Sequence, residues 1–276
     1  MYEPIYLPKM KKSKLLLGGV SYAVIHTNKF KDPNSKDLDQ LHMHGYTEIF
    51  FCLSSDVAFL VDGKLYSVNH GEAIVSHQNQ VHVCVFNKPK NYEYFCLWIN
   101  AGENFHVSSC IPQPNLLTFD GKTKEKLFSL FYRLNELSKK EQEFESSLTF
   151  LQILEIFKNN YQSNFSKEIL PEFFQKIINY INDNFIEIKT VKEIADKFFI
   201  STTTLLRNFN KYLRITPKKY LEQLKLSNAV KMLNKGSTVT EACFNSGFSD
   251  VSHFIVLFKK EFKTSPFKYK TERENF

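Results

Sequence analysis

The chain has 276 residues, enough for two modest domains that each bury a core. Its charge is uneven. Residues 1–165 are formally neutral and residues 166–276 hold the whole excess of +7, which points to a polyanion partner for the second half. Five cysteines (Cys52, Cys84, Cys96, Cys110, Cys243) with no C-x-x-C argue against a disulfide framework or a zinc knuckle, and for a reducing, cytoplasmic setting. Lys11, Lys12 and Lys14 precede Leu15–Leu17, but Gly18-Gly19 follow at once. That apolar run is too short for a signal peptide, and nothing approaches a membrane span, so no membrane is expected among the partners.

From about residue 15 to 100, short alternating runs are separated by turn signals. Glu48–Leu53 is apolar and β-prone. Asp62-Gly63, between 58–61 and 64–68, is a strong hairpin signal. Asn69-His70-Gly71 turns the chain before 72–76, and 81–86 and 92–99 are further strands. Such a series predicts an antiparallel sandwich or small barrel. Within it His42-Met43-His44-Gly45-Tyr46-Thr47-Glu48 precedes Gly71 and His82. This pattern resembles the cupin fold, in which two histidines and a glutamate converge in the barrel with a later histidine. His42 and His44, two apart on a strand, would point the same way. Three imidazoles and a carboxylate suit Zn, Fe, Mn or Ni. The preferred reading is that the same four residues line or brace an effector pocket without metal. The second cupin motif is partial, with His77 and Asn79 where proline and glycine are usual. Phe50, Phe59, Tyr66 and Trp98 are aromatic pocket candidates.

Lys124–Lys140 places Leu127, Leu130, Phe131, Leu134 and Leu137 at helical spacing. Ser147–Tyr161 does the same with Leu148, Leu151, Ile153, Leu154 and Phe157. One apolar stripe would pack on the barrel; the other would pair with its copy in a homodimer or pack within the chain. Gln162–Pro171 is polar and reads as an interdomain linker. Phe173–Asn184 is an amphipathic helix through Phe174, Ile177, Ile178 and Ile181.

A repeat follows. Thr190 and Glu193 return as Thr238 and Glu241; Phe209, Pro217 and Tyr220 return as Phe258, Pro266 and Tyr269. Thr190 with Glu193 forms a capping box for a helix ending near 198–199. Ser201 caps a second helix reaching about Tyr212. If Leu205 faces inward, Phe209 and Tyr212 do too, while Thr203, Leu206, Arg207 and Asn210 face out at roughly 100° per residue. Thr216-Pro217 starts a long helix to about Asn234, closed by Gly236. Its 18 or so residues span roughly 27 Å, approaching a turn of B-DNA. Thr238 and Glu241 cap the next short helix, Gly247 makes a turn, and Asp250 caps a last one with Phe254 and Phe258 inside and Ser252, Ile255, Val256 and Lys259 outside.

Residues 174–270 thereby resemble the DNA-binding domain of the AraC/XylS family. The marks are Ile194-Ala195, Ser201, Leu205, Arg207-x-Phe209, Thr216-Pro217, Tyr220, Ala229, Leu233, Glu241, Gly247-Phe248, Asp250, Phe254, Phe258-Lys259, Pro266 and Tyr269. The resemblance implies an α+β, two-domain chain: a cupin-like β-barrel with following helices, then an all-α domain of seven helices with two helix-turn-helix units. The divisions are 1–115 for an effector-binding barrel, 116–165 for a helical dimerisation or packing segment, 166–173 for a linker and 174–273 for the DNA-binding domain. The two units lie at about 190–212 and 238–261. The implied DNA-facing residues are Thr202, Thr203, Leu206, Arg207, Asn210 and Lys211 in the first unit. In the second they are Val251, Ser252, His253, Val256 and Lys259. His42, His44, Glu48 and His82 are the effector-pocket residues.

The expected function is a cytoplasmic transcription regulator, an activator rather than an enzyme, with no cofactor. Its expected partners are the major groove of double-stranded, A/T-rich operator DNA, a small-molecule effector, RNA polymerase and a second copy of the chain. Two alternatives stand beside it. One is a metal-dependent cupin with the four residues as ligands; the other is a constitutive DNA-binding protein whose barrel only dimerises. The chain departs from the family at Arg214 and Lys263, which replace usual glycines, and at Lys225 and Lys270, which replace frequent arginines. Ile255-Val256 stands where Ser or Thr followed by Arg is usual, so Val256 is the repeat partner of Arg207. The first unit is therefore expected to carry most base discrimination, with Lys259 and Lys260 anchoring phosphates in the second.

Overall fold

Alternation sets the two faces of every strand in the first half of the molecule. The computed structural model describes residues 11–12, 20–32, 41–55, 57–86, 88–101, 105–162 and 170–274. The expectations for Lys14–Gly19 and for residues 163–169 of the linker lie outside these. The strands are β1 (Lys11–Lys12), β2 (Ser21–Lys31), β3 (Thr47–Cys52), β4 (Val57–Val61), β5 (Lys64–Val68), β6 (Ala73–Ser76), β7 (His82–Phe86) and β8 (Lys90–Asn100). A short helix α1 (Phe105–Ser108) and β9 (Leu116–Leu117) follow. They form two antiparallel sheets, ordered β1-β2-β8-β3-β6-β9 and β5-β4-β7. Asp62-Gly63 closes the β4–β5 hairpin with φ of 43° and 82°, the left-handed pair of a type I′ turn.

Phe50 and Cys52 of β3 point between the sheets and meet Phe59, Val61, Phe86, Tyr92 and Tyr94. Ile49 and Phe51 point the other way, under α2 (Gly121–Lys139) and α3 (Glu143–Asn160). There Phe51 stacks on Phe131 at 4.7 Å and Tyr22 on Phe150 at 4.3 Å. Each such ring contributes roughly 1.5–3 kcal/mol on burial. Both helices begin earlier than the apolar spacing predicts, because Asp120 caps α2 by accepting from the Thr123 N–H, and Glu143 and Glu145 favour the N-terminus of α3. Leu148 and Leu151, expected in the stripe of α3, are exposed beside Phe144; Leu137 is only half-buried.

The second half is helical: α4 (Glu172–Asn184), α5 (Val191–Lys197), α6 (Thr202–Leu213), α7 (Pro217–Asn234), α8 (Val239–Asn245), α9 (Val251–Phe262) and α10 (Pro266–Glu274). Glu172 and Phe173, expected at the end of a linker, already belong to α4. The capping pattern decides these boundaries. Thr190, Ser201, Thr216, Thr238 and Asp250 each accept an N-terminal N–H of the helix they precede. Thr238 and Glu241 form the full reciprocal box. At Thr190 only half of it forms, because Glu193 accepts from Lys189 N instead. No helix among the described residues is long and apolar enough to cross a membrane.

The two halves share a core. Ala58, Leu60, Leu65, Val83 and Val85, on the outer face of the small sheet, and Val81 just before β7 join Phe174, Ile178, Leu205, Phe209, Leu221 and Leu224 of the helices in one apolar cluster. Strand β7 therefore serves two neighbours: His82 and Phe86 face the sandwich interior, Val83 and Val85 the helices.

Candidate functional site

Two surfaces carry chemistry. The first is the outer side of the short helices that end each repeat. In α6, Leu205, Phe209 and Leu213 are buried, and Phe209 meets Phe174 at 5.2 Å and Tyr220 at 5.8 Å. That fixes the helix's rotation and leaves Thr202, Thr203, Leu206, Arg207, Asn210 and Lys211 exposed, a face able to offer bidentate and single hydrogen bonds. In α9, Phe254 and Phe258 are buried, and Ser252, His253, Val256 and Lys259 are exposed. Val251 is half-buried against the core. Ile255, expected outside, is also partly buried in that core, because α9 lies close enough for a large side chain at the flank to be covered. Val256 is 63% exposed where α6 has Arg207, so the two faces differ in charge and donors.

Helix α7 holds the two units to one frame. Lys225, buried near its middle, donates to the carbonyls of Ile188, before α5, and Gly247, in the turn between α8 and α9, both at 2.7 Å. Burial pulls its pKa down, against Glu193 and Glu187, which raise it. Lys219 and Gln223 of α7 both reach Glu261 of α9, at 3.1 and 2.7 Å. Sequence spacing marked Lys225 only as a lysine in place of arginine; its double carbonyl contact has no local signal.

The second surface is buried. His42, His44, Glu48 and His82 offer ligand atoms that all lie within 4.8 Å of one another. The sequence reading put His42 and His44 on one strand. Instead, His42 makes an isolated bridge with His82, and His44 lies in the segment between that bridge and β3. The alternation survives: Met43, between them, turns to the opposite side, into the core shared with the helices. Glu48 lies on β3, and His82 starts β7. His44 Nε2 is 3.0 Å from Glu48 Oε2, and His82 Nε2 is 3.6 Å from the same oxygen. Trp98 Nε1 donates to that oxygen at 2.9 Å. Burial pushes the Glu48 carboxyl up, but the neighbouring His44 and His82 hold it well below the ordinary carboxylate range. Tyr46 stacks on His44 at 3.7 Å, and burial, then Glu48 and Cys96, push its phenol up. The four side chains have the composition of a nitrogen-rich metal site. Of the aromatic pocket candidates, Phe50 and Phe59 pack on each other at 5.2 Å, Tyr66 is buried, and Trp98 braces Glu48.

One loop joins the second surface to the helices. Asn79, between β6 and β7, takes φ of 62°, the left-handed conformation its glycine-like place requires. Its N–H donates to the His44 carbonyl at 2.9 Å, and its own carbonyl accepts from the Ser227 hydroxyl of α7 at 2.6 Å. Nearby, Tyr220 donates to Asn182 at 2.7 Å, and Asn182 donates to the Asp62 carbonyl at 3.4 Å. A Cβ on Gly63 would strike both Asn182 and the Tyr220 hydroxyl, so the hairpin tip meets the helices only as glycine. Sequence reasoning missed the Asn79–Ser227 link, for which a lone serine in a helix gives no signal.

Residues 194–272 match the model of a helix-turn-helix domain family. Over 247 residues the chain is 24% identical to the HTH-type transcriptional activator RhaS of Escherichia fergusonii, covering 84% of this chain and 88% of that one. It is 30% identical to the HTH-type transcriptional activator RhaS of Escherichia coli O157:H7 over 131 residues, 47% of this chain and 46% of that one. Among solved structures, ToxT from Vibrio cholerae aligns with 91% of this chain and 98% of its own at 14% identity and a TM-score of 0.37.

Proposed function

We propose that this chain, which belongs to the AraC/XylS family of DNA-binding transcription regulators, reads an A/T-rich operator mainly through α6 and is controlled by a small effector held in its N-terminal half. In this reading residues 1–115 form the cupin-like effector domain, 116–165 the helical dimerisation segment and 174–273 the DNA-binding domain, with 166–173 between them. The chain acts in the cytoplasm as a homodimeric activator that contacts RNA polymerase, and not as an enzyme. The observation that carries the DNA-binding reading is the exposed α6 face, held outward by buried Leu205, Phe209 and Leu213 within the matched helix-turn-helix region.

The roles divide accordingly. Arg207 is placed to bond guanine O6 and N7 bidentately, Thr202, Thr203 and Asn210 to meet other base edges, Leu206 a thymine methyl and Lys211 a phosphate. In α9, Lys259 and Lys260 meet phosphates, Ser252 and His253 offer the few polar contacts, and Val251 and Val256 lie against thymine methyls. Four residues, His42, His44, Glu48 and His82, form the effector site. The test is fluorescence anisotropy on a duplex selected from a random pool by the full chain. Arg207→Ala should weaken binding by about 1–3 kcal/mol and flatten the preference at one base pair. Full-strength, equally selective binding by that variant would contradict the assignment.

A further inference from the structure

The hydrogen-bond partners of the buried histidines fix which ring nitrogens carry protons. His44 Nδ1 lies 2.9 Å from the Tyr46 carbonyl oxygen and His82 Nδ1 lies 2.8 Å from that of Gln80. A carbonyl only accepts, so each Nδ1 is the donor, and each neutral ring presents a bare lone pair at Nε2. Both lone pairs point at the Glu48 carboxylate, itself an acceptor. His82 is 0% exposed, and its Nε2 has no hydrogen-bond partner. One proton between His44 and Glu48 would satisfy that pair and still leave His82 bare. A single divalent ion satisfies all three and the nearby His42. Donation of the far ring nitrogen to a backbone carbonyl is also how metal-bound histidines are normally oriented, and Trp98 orients Glu48 in the same manner.

We propose that a divalent transition-metal ion bound by His42, His44, Glu48 and His82 is the effector of this regulator, and that its binding is passed to α7 through the His44–Asn79–Ser227 hydrogen-bond chain. The metal site stands on the cluster alone; the relay also rests on the DNA-binding function proposed above. Ligands at about 2.1 Å from one ion lie at most about 4.2 Å apart. The present spread reaches 4.8 Å, so binding draws the cluster inward by a fraction of an ångström. His44 and His82 then move with the loop 77–81 between them, because the Asn79 N–H is bonded to His44 and the Gln80 carbonyl to the His82 ring. The Asn79 carbonyl carries that order to Ser227 and thus to the helix that spaces α6 and α9. An ion that orders this loop lessens the ordering left for DNA to impose, which makes DNA binding tighter.

The test uses the full chain, purified without a tag and stripped of metal, titrated separately with Zn2+ and Co2+ by calorimetry and visible absorption. One ion per chain is expected. His42→Ala and the near-isosteric Glu48→Gln should each lower ion affinity by about 100-fold or more, since loss even of an orienting partner costs 10–100-fold. Circular dichroism and selective DNA binding check that these variants fold. Less than one-tenth of an ion per chain, or undiminished binding by both variants, overturns the site and leaves a proton-held ion pair. With the selected duplex, the ion should tighten binding about tenfold in the wild type, within the usual range of allosteric coupling. In Ser227→Ala the ion should still bind but no longer change DNA affinity. Unchanged or weaker DNA binding in the loaded wild type, or a tightening that persists in Ser227→Ala, overturns the relay. A chain that loads one ion but binds every duplex alike fails instead as a sequence-specific regulator, while its metal site stands.

Discussion

Phe199 and Gly247 occupy the same place in the two repeats, the turn between the paired helices, and both take a positive φ, 54° and 84°. Glycine takes this conformation without cost, whereas a bulky residue is strained there. At Gly247 the choice is also steric, since an added Cβ would run into the Ile186 carbonyl oxygen. Gly247→Ala should therefore destabilise the fold by about 2–4 kcal/mol. Phe199 is 97% exposed, so its ring returns no packing energy to offset the strain. Phe199→Gly should be neutral to stabilising by about 1 kcal/mol once glycine's extra unfolded-state freedom is subtracted. Chemical denaturation of the two variants checks both signs; a stable Gly247→Ala protein would mean that the turn can be rebuilt. Residue spacing made Gly247 legible as a turn. It ended a helix near Phe199 but gave no hint of that residue's left-handed, exposed conformation, because a phenylalanine between Phe198 and Ile200 reads as core.

At the scale of elements, caps were the most legible feature. Thr190, Ser201, Thr216, Thr238 and Asp250 are short polar side chains ahead of apolar periods, and each caps a helix where that pattern puts it. The Asp62-Gly63 hairpin was legible for the same reason: its conformation is chosen by two adjacent residues. His44 was misplaced because a two-residue alternation is shared by strands and by merely extended chain. Arg214 and Lys263 close α6 and α9 in the left-handed conformation, at φ of 55° and 58°, where glycine would be cheaper. Removing the complete box should cost more than removing the half-formed one. Thr238→Ala is expected to lose about 1 kcal/mol and Thr190→Ala less, read from paired thermal unfolding curves. Equal losses would show that the Glu241 return bond adds nothing.

For the whole molecule, the outward faces of α6 and α9 were legible in the repeat, Ile255 apart, because buried phenylalanines at helical spacing dictate which face is left outside. The joint between the halves was not. It depends on the fit of Gly63 against Asn182 and Tyr220, and of Asn79 against Ser227, contacts between residues distant in sequence with no periodic trace. That joint sets the small sheet, with His82 on one face and Val83 and Val85 on the other, between the buried cluster and α7. The two exposed faces that α7 spaces are unequal, since an arginine in α6 answers to a valine in α9. The most direct test of this account is the affinity of the full chain for a panel of duplexes carrying every single base-pair substitution across the selected site. Substitutions within one half of the site should cost about 1–3 kcal/mol each, and those one helical turn away distinctly less. Equal costs in both halves, or no preference in either, would contradict it.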